Sequence, residues 1–318
     1  MLVIVWRALG FPLSFSKGKR GTNIVWISGA LRVSSEAVDV SIKPAIVEDV
    51  RNLCGHFKAQ NVIPVKQVRA LAGKSSVMAS VVFMLRPFLS DLWGALAGAG
   101  FQTSAPMHCI WSRQIAPAVS WIAAFVDGTR GSLTRSYALK CYLASSSEVE
   151  VCVDASPWGL GAYLAKHGAI VEYFHSSVSI EEASVLGQQI GKCESQQTFE
   201  ALAVLVALRT WAAHWIGTRS RLRIRSDSVS ALVMLLKLKV SGKGPNLIAR
   251  EIALDMAEAI YQPEVLEHVP GITNKICDQL SRLSQPGKEA EFPEQLRGVT
   301  CIQITQRQRG YFRAALAP

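Results

Sequence analysis

Four acidic residues stand where a carboxylate could do chemistry: Asp154, Glu200, Asp227 and Asp278. Asp154 ends an alternating run, Glu150-Val151-Cys152-Val153, that reads as a half-buried strand. Glu200 opens a long apolar helical stretch, Asp227 ends the strand-like RLRIRSD, and Asp278 lies in the last helical pattern. Each has an ordinary explanation when taken singly. A strand-end Asp suits a turn, Glu200 and Asp227 suit helix starts, and Asp278 suits an exposed helix face. Taken together they describe a site. Several carboxylates cannot stay ionised in a confined space unless cations neutralise them. Oxygen ligands of this kind favour Mg²⁺ or Mn²⁺. Two such ions about 3.5–4 Å apart are a standard device for in-line displacement at phosphorus.

The elements that must position these acids follow from periodicity. Residues 149–165 read as a hairpin broken at Pro157 and Gly159, and AIVEYFHS at 169–176 adds a third strand. A loop is expected next, then a helix over 198–217 stopped by Gly217. A strand at 221–227, helices in SVSALVMLLKLK and at 246–261, a strand at 264–270 and a closing helix in ITNKICDQLSRL complete the order. The sequence βββ-α-β-α-α-β-α predicts a mixed five-stranded α/β sheet with helices packed on it. If its first and fourth strands are neighbours, Asp154 and Asp227 come side by side, and a helix crossing the sheet can bring Glu200 to them.

The rest of the chain sets the context. At 318 residues, 49% apolar and 18% charged, it suits about two folded domains. Seven scattered cysteines, with no CxxC pair, point to free thiols in an intracellular, reducing compartment, cytoplasmic or nuclear. The apolar start MLVIVWRALG is interrupted at Arg7 and predicts no signal peptide. Arg86, Pro87 and Asp91 break the most apolar stretch, 77–100, so it reads as buried helices and no membrane contact is expected. The net charge of +10 is uneven: residues 1–147 hold 16 Lys+Arg against 6 Asp+Glu, whereas 148–286 hold 13 against 15. A basic part beside a mildly acidic one suits a polyanion held by the first and processed by the second.

At the four acids a specific resemblance emerges. Residues 148–284 resemble the ribonuclease H domain of retroelement polyproteins. VDASPWGLGAYL is similar to that family's first-strand motif, SQQTFEALAVLVALRTW to its catalytic-Glu helix, and RIRSDSVSAL to its second-Asp motif. HVPGITNKICDQLSRL resembles its closing motif, with Asn274, Asp278 and Leu280–Arg282 in register. The resemblance implies catalysis and metal binding (two Mg²⁺, with Mn²⁺ as substitute) at Asp154, Glu200, Asp227 and Asp278. It also implies an RNA–DNA hybrid as substrate, with substrate contacts at Ser156 and Asn274. Three departures are visible. The 239–246 linker is too short for an extra basic helix, His268 reads as a strand residue where a mobile loop His is usual, and Cys277 replaces a small Ala.

Upstream, LGFPLSFSKGKRGTNIVWISGALRV resembles the end of a reverse-transcriptase palm, with VWISGAL as a primer-grip-like hairpin. Lys17, Lys19 and Trp26 are its candidate nucleic-acid contacts. VRALAGKSSVMASVVFMLRPFL resembles the following thumb and connection helices. The division expected is therefore 1–45 palm end, 46–147 helical thumb/connection-like region, 148–284 ribonuclease H-like domain and 285–318 tail. Polymerase activity is not expected, because no Tyr/Phe-x-Asp-Asp pair occurs. The reading is a metal-dependent endonuclease cutting the RNA of hybrids. The alternative is a silent retroelement remnant, or a nucleic-acid-binding module without enzyme activity.

Overall fold

The computed structural model describes residues 19–26, 29–98, 105–139, 148–215, 221–258, 265–287, 289, 291–305 and 307–316. The expected helix stop at Gly217, the SSS joint at 145–147 and Lys17 lie outside them.

The basic N-terminal part begins with a three-stranded meander of β1 (Asn23–Trp26), β2 (Gly29–Val33) and β3 (Ala37–Ile42), the hairpin expected from NIVWISGALRV extended by one strand. Helix α1 (Pro44–Lys58) starts at a proline, which suits a first turn whose N–H groups have no partner. After the short β4 (Val62–Pro64), α2 (Val65–Val81) buries Val68, Leu71, Ala72, Met78 and Ala79. The chain then tightens into a 3₁₀ segment, Phe83–Leu89, containing Pro87. The stretch that contains Arg86, Pro87 and Asp91 is thus a set of short helical pieces ending in α3 (Ser90–Gly98). Among the described residues no helix is long and apolar enough to cross a membrane. Strand β5 (Cys109–Trp111) pairs with β4, and α4 (Ser112–Val126) follows. Then β6 (Thr134–Ala138) returns to pair antiparallel with β3, so the N-terminal sheet takes strands from both ends of this region.

The second half is built on a six-stranded mixed sheet. Strands β7 (Glu148–Ala155), β8 (Gly159–Lys166) and β9 (Ala169–Ser177) form an antiparallel meander. Helix α5 (Ile180–Leu186) occupies the span expected to be a loop; a capping box of Ser179 and Glu182 starts it and Gly187, at φ +66°, ends it. Helix α6 (Gln196–Thr210) follows, buried on all sides from Ala201 to Leu208 because it lies between the sheet and another helix. Strand β10 (Arg221–Ser226) pairs parallel with β7, then come α7 (Val229–Lys237) and α8 (Lys243–Ala257). Strand β11 (Val265–His268) pairs parallel with β10, and α9 (Lys275–Arg282) crosses back over the meander. The sheet order is β11-β10-β7-β8-β9, the mixed α/β arrangement expected, with one addition. A sixth strand, β12 (Thr300–Cys301), joins the β9 edge in parallel, so the segment expected to be a tail contributes a strand to the sheet. The step from α7 to α8 is short, with no helix between them, as the 239–246 linker implies.

Residues on β7 divide the sheet's faces. Val149, Val151 and Val153 point into the core shared with α6, while Cys152 and Asp154 face α9. The two halves of the chain also touch. Arg250 of α8 pairs with Asp91 at 2.8 Å and its guanidinium lies 5.7 Å from the Phe88 ring centroid.

Candidate active site

Parallel pairing of β7 and β10 in register Arg225↔Cys152 sets the two strand ends side by side. Asp154 is two residues beyond Cys152 and Asp227 two beyond Arg225, so both carboxylates emerge at the same sheet edge. In an α/β sheet this is where ligands bind, outside the carboxyl ends of the strands. Asp227 Oδ2 lies 3.2 Å from where a Cβ on Gly271 would be, so Gly271 lets the loop after β11 pass close to this carboxylate.

Glu200 reaches the pair from the first turns of α6. Two neutral donors hold it: the Ser228 hydroxyl, to Oε2, and the Gln196 amide, to Oε1 at 3.4 Å. Gln196 also donates to the carbonyl oxygen of Ala155, tying the start of α6 to the end of β7. Ser228 doubles as the N-cap of α7, accepting from Ala231 N at 3.2 Å.

Asp278 comes from α9, and the sequence beneath that helix explains its approach. A Cβ on Gly161 of β8 would lie 2.6 Å from both the Cys277 carbonyl oxygen and the Leu280 Cβ. One on Gly159 would lie 2.7 Å from the Ser281 carbonyl oxygen. The two glycines let α9 rest directly on strand backbone. There Ser281, fully buried, places its hydroxyl 3.0 Å from both Asp154 Oδ2 and the Asp278 carbonyl oxygen. The Asp278 carboxylate itself accepts from Arg282 Nε at 2.7 Å, one helical turn on.

Charge couples the acids in pairs, Asp227 and Asp278 acting on Asp154 and Asp227 on Glu200. Burial pushes the Asp154 carboxyl up to about 8, the charge of Asp227 adds to the rise, the Ser281 hydrogen bond opposes it, and Asp278 adds a smaller upward push. Burial raises Glu200 above the ordinary carboxylate range as well; Ser228 and Gln196 offset part of that, and Asp227 adds to it. The donor set and its mutual repulsion fit divalent cations, since a carboxylate held protonated by burial and like charges ionises readily once a cation is near. Among the described residues, no three His, Cys, Asp or Glu side chains are gathered as a ligand cluster. Protein donors engage three of the acids instead: Ser281 on Asp154, Ser228 and Gln196 on Glu200, and Arg282 on Asp278.

The other sequence-predicted residues fall differently. Ser156 and Asn274, read as substrate contacts, are buried at 1% and 3% exposure and bond internally. Ser156 donates to the Ser281 carbonyl oxygen at 2.7 Å and accepts from Gly159 N at 3.1 Å, closing the β7–β8 turn against α9. Asn274 donates to the Val153 carbonyl oxygen at 3.3 Å and accepts from the Cys152 thiol at 3.2 Å. Both are struts between β7 and α9, because a buried polar group must spend its bonds inside the fold. Lys19, four residues before β1, donates to the Val25 carbonyl oxygen at 2.8 Å, and Trp26 ends β1 in the separate N-terminal sheet. His268 ends β11 as expected and is exposed, with Nε2 3.1 Å from the Asp227 carbonyl oxygen. Sequence reading assigns no role to Gln196, Ser228, Ser281 or Arg282. Signals for them exist, since Ser228 follows Asp227 and Ser281-Arg282 closes the last motif, but their targets lie on other elements or one turn away.

No family model matches the chain, and no curated protein matches it. Among solved structures, RNase H1 from the halophilic archaeon Halobacterium salinarum NRC-1 aligns at 19% identity and a TM-score of 0.32, over 42% of this chain and 93% of that one. The foamy viral protease-reverse transcriptase in complex with RNA/DNA hybrid aligns at 9% identity and a TM-score of 0.27, over 78% of this chain and 29% of that one. The same viral protein in complex with dsDNA aligns at 11% identity and a TM-score of 0.27, over 79% and 45%. This chain therefore spans less than half the length of those two viral chains.

Proposed function

We propose that this chain is a metal-dependent endonuclease that hydrolyses the RNA strand of RNA–DNA hybrids, as part of a retroelement reverse transcriptase. The observation that supports the reading is electrostatic: the charges of Asp227 and Asp278 both act on Asp154, which burial and these charges raise to about 8, and Asp227 also acts on Glu200. Asp154, Glu200, Asp227 and Asp278 would hold two Mg²⁺ ions, which supply a water of lowered pKa and Lewis-acid stabilisation of the leaving oxygen. The chain's own part is positioning. Ser281 fixes the rotamer of Asp154, Ser228 and Gln196 fix Glu200, and the Gly159/Gly161 track fixes the distance of α9. Selection of RNA would come from contacts to 2′-hydroxyls, which DNA lacks.

The experiment is cleavage of an end-labelled RNA–DNA hybrid by the purified chain with Mg²⁺, beside single-stranded RNA and duplex DNA. Cleavage confined to the RNA of the hybrid, and abolished in Asp154→Asn, is expected. Tight hybrid binding without cleavage would favour the binding-module alternative.

A further inference from the structure

We propose that Arg282 is a resident counter-ion that competes with a divalent cation for Asp278, so that the fourth carboxylate is handed to the metal only at the expense of an ion pair. The inference rests on the metal-site reading above and concerns which residue of this chain resists it.

The observation is a difference in kind among the four acids. Asp154 and Glu200 are held by neutral donors, a hydroxyl in the first case and a hydroxyl and an amide in the second. A carboxylate has about four lone-pair sites, so a neutral donor orients it and still leaves room for a cation. Among the described residues, Asp278 is the one of the four that carries a formal cation, Arg282 Nε at 2.7 Å on Oδ1. A guanidinium opposes a second positive charge instead of merely orienting the ligand. It must swing aside or share the carboxylate when a cation arrives.

The pair is built for exchange. Its spacing is i, i+4 along α9, and the two side chains are 40% and 42% exposed, so both can turn without moving backbone. An exposed pair of this spacing is weak. The competition is therefore worth only a small factor in metal affinity, a brake and not a lock. It also concerns Asp278 alone: its backbone stays fixed, because Asp278 N donates to the Asn274 carbonyl oxygen at 3.0 Å and Ser281 bonds its carbonyl oxygen. What Arg282 controls is the rotamer of one side chain.

The test reads metal binding directly, without catalysis. The melting temperature of the full chain is followed against Mg²⁺ at low ionic strength for the parent, Arg282→Gln, Asp278→Asn and the double variant. The Mg²⁺ concentration at half the maximal shift should fall about two- to threefold in Arg282→Gln relative to the parent, the factor that removing one exposed pair gives. In the Asp278→Asn background the same change should have a smaller effect or none, because the contested carboxylate is gone. Arg282→Lys, which keeps the charge, should stay near the parent. An unchanged or higher midpoint in Arg282→Gln, with the parent responding normally, overturns the competition alone. An equal fall in both backgrounds overturns it too, since that would be a diffuse charge effect. No Mg²⁺ response in the parent would remove the metal site itself, and the competition with it.

Discussion

At the scale of single residues, the site is a balance of repulsion held in place by side-chain hydrogen bonds. Asp154 bears most of the strain: its folded-state pKa, about 8, lies above the ordinary carboxylate range. The metal-free protein therefore holds a proton that the unfolded chain releases between the ordinary range, about 4, and about 8. That contribution to stability is complete below the ordinary value and is lost as pH rises through the folded value. Metal-free stability should thus fall with pH across this window, and Asp154→Asn should remove that part of the slope. Above the window the variant should be more stable than the parent, by on the order of 1–2 kcal/mol, although its cleavage falls at least on the order of 100-fold. Urea unfolding at several pH values, with cleavage measured in parallel, checks both. Asp278 stands at the other extreme, half exposed and paired, among the described residues, with Arg282. Asp278→Asn should keep measurable activity, more visible with Mn²⁺ than with Mg²⁺. A loss as deep as that of Asp154→Asn in both metals would contradict its place as the loosest ligand.

At the scale of elements, the decisive contact is α9 on the β7–β8 hairpin. Gly161→Ala would drive a methyl to 2.6 Å from the Cys277 carbonyl oxygen and the Leu280 Cβ, so helix or strand must shift. A cost of about 1–3 kcal/mol is expected, with weaker metal binding because Asp278 rides on the displaced helix. Thermal unfolding and the Mg²⁺-dependent melting shift measure the two effects. The same packing shows what the sequence can disclose. The strands and helices of the four acids are legible because Val149, Val151 and Val153 alternate and α6 carries an unbroken apolar run. Helix α5 reads as loop, though Ser179 and Glu182 spell a capping box, because seven residues give too few turns for a periodic signal. Strand β6 is hidden because its partner, β3, lies far upstream, and β12 because two residues carry no alternation. Ser156 and Asn274 read as substrate contacts for a related reason. Motif position marks them as important, but only packing shows that their polar groups face inward.

At the scale of the molecule, charge is unevenly divided. The N-terminal half carries the excess of basic residues, and it presents Arg32 on β2 and Lys19 and Arg20 just before β1 at exposed positions. Neutralising these three together should weaken hybrid binding and reduce the slope of log affinity against log salt by about 0.7–0.9 for each phosphate that is no longer neutralised. Titrations of hybrid binding at several salt concentrations measure it, and an unchanged slope would place the grip elsewhere. The C-terminal segment has the opposite character. Arg307, 4% exposed, bonds the buried carboxylate of Glu182. Arg313 joins Arg209 around Glu251 and Asp255, which are 0% and 1% exposed. Removing residues 307–318 would strand Glu182 without its cation. Breaking a buried pair from one side costs about 3–5 kcal/mol, so the shortened chain should unfold at markedly lower urea while its four acids are untouched.

The Arg307–Glu182 pair also sets an order of events during synthesis. Its partners are 125 positions apart, and the capping box that starts α5 contains one of them. While the chain is still emerging from the ribosome, Glu182 has Ser179 to bond but no cation, so the β9–α5 corner can form only loosely and must keep that carboxylate wet. The carboxylate can be sealed away from water only when Arg307 arrives, well after the last of the four acids has been made. A chain assembled in this order would complete its four candidate acids before its β9–α5 corner is closed, and the segment around Arg307 would finish that corner by drying it.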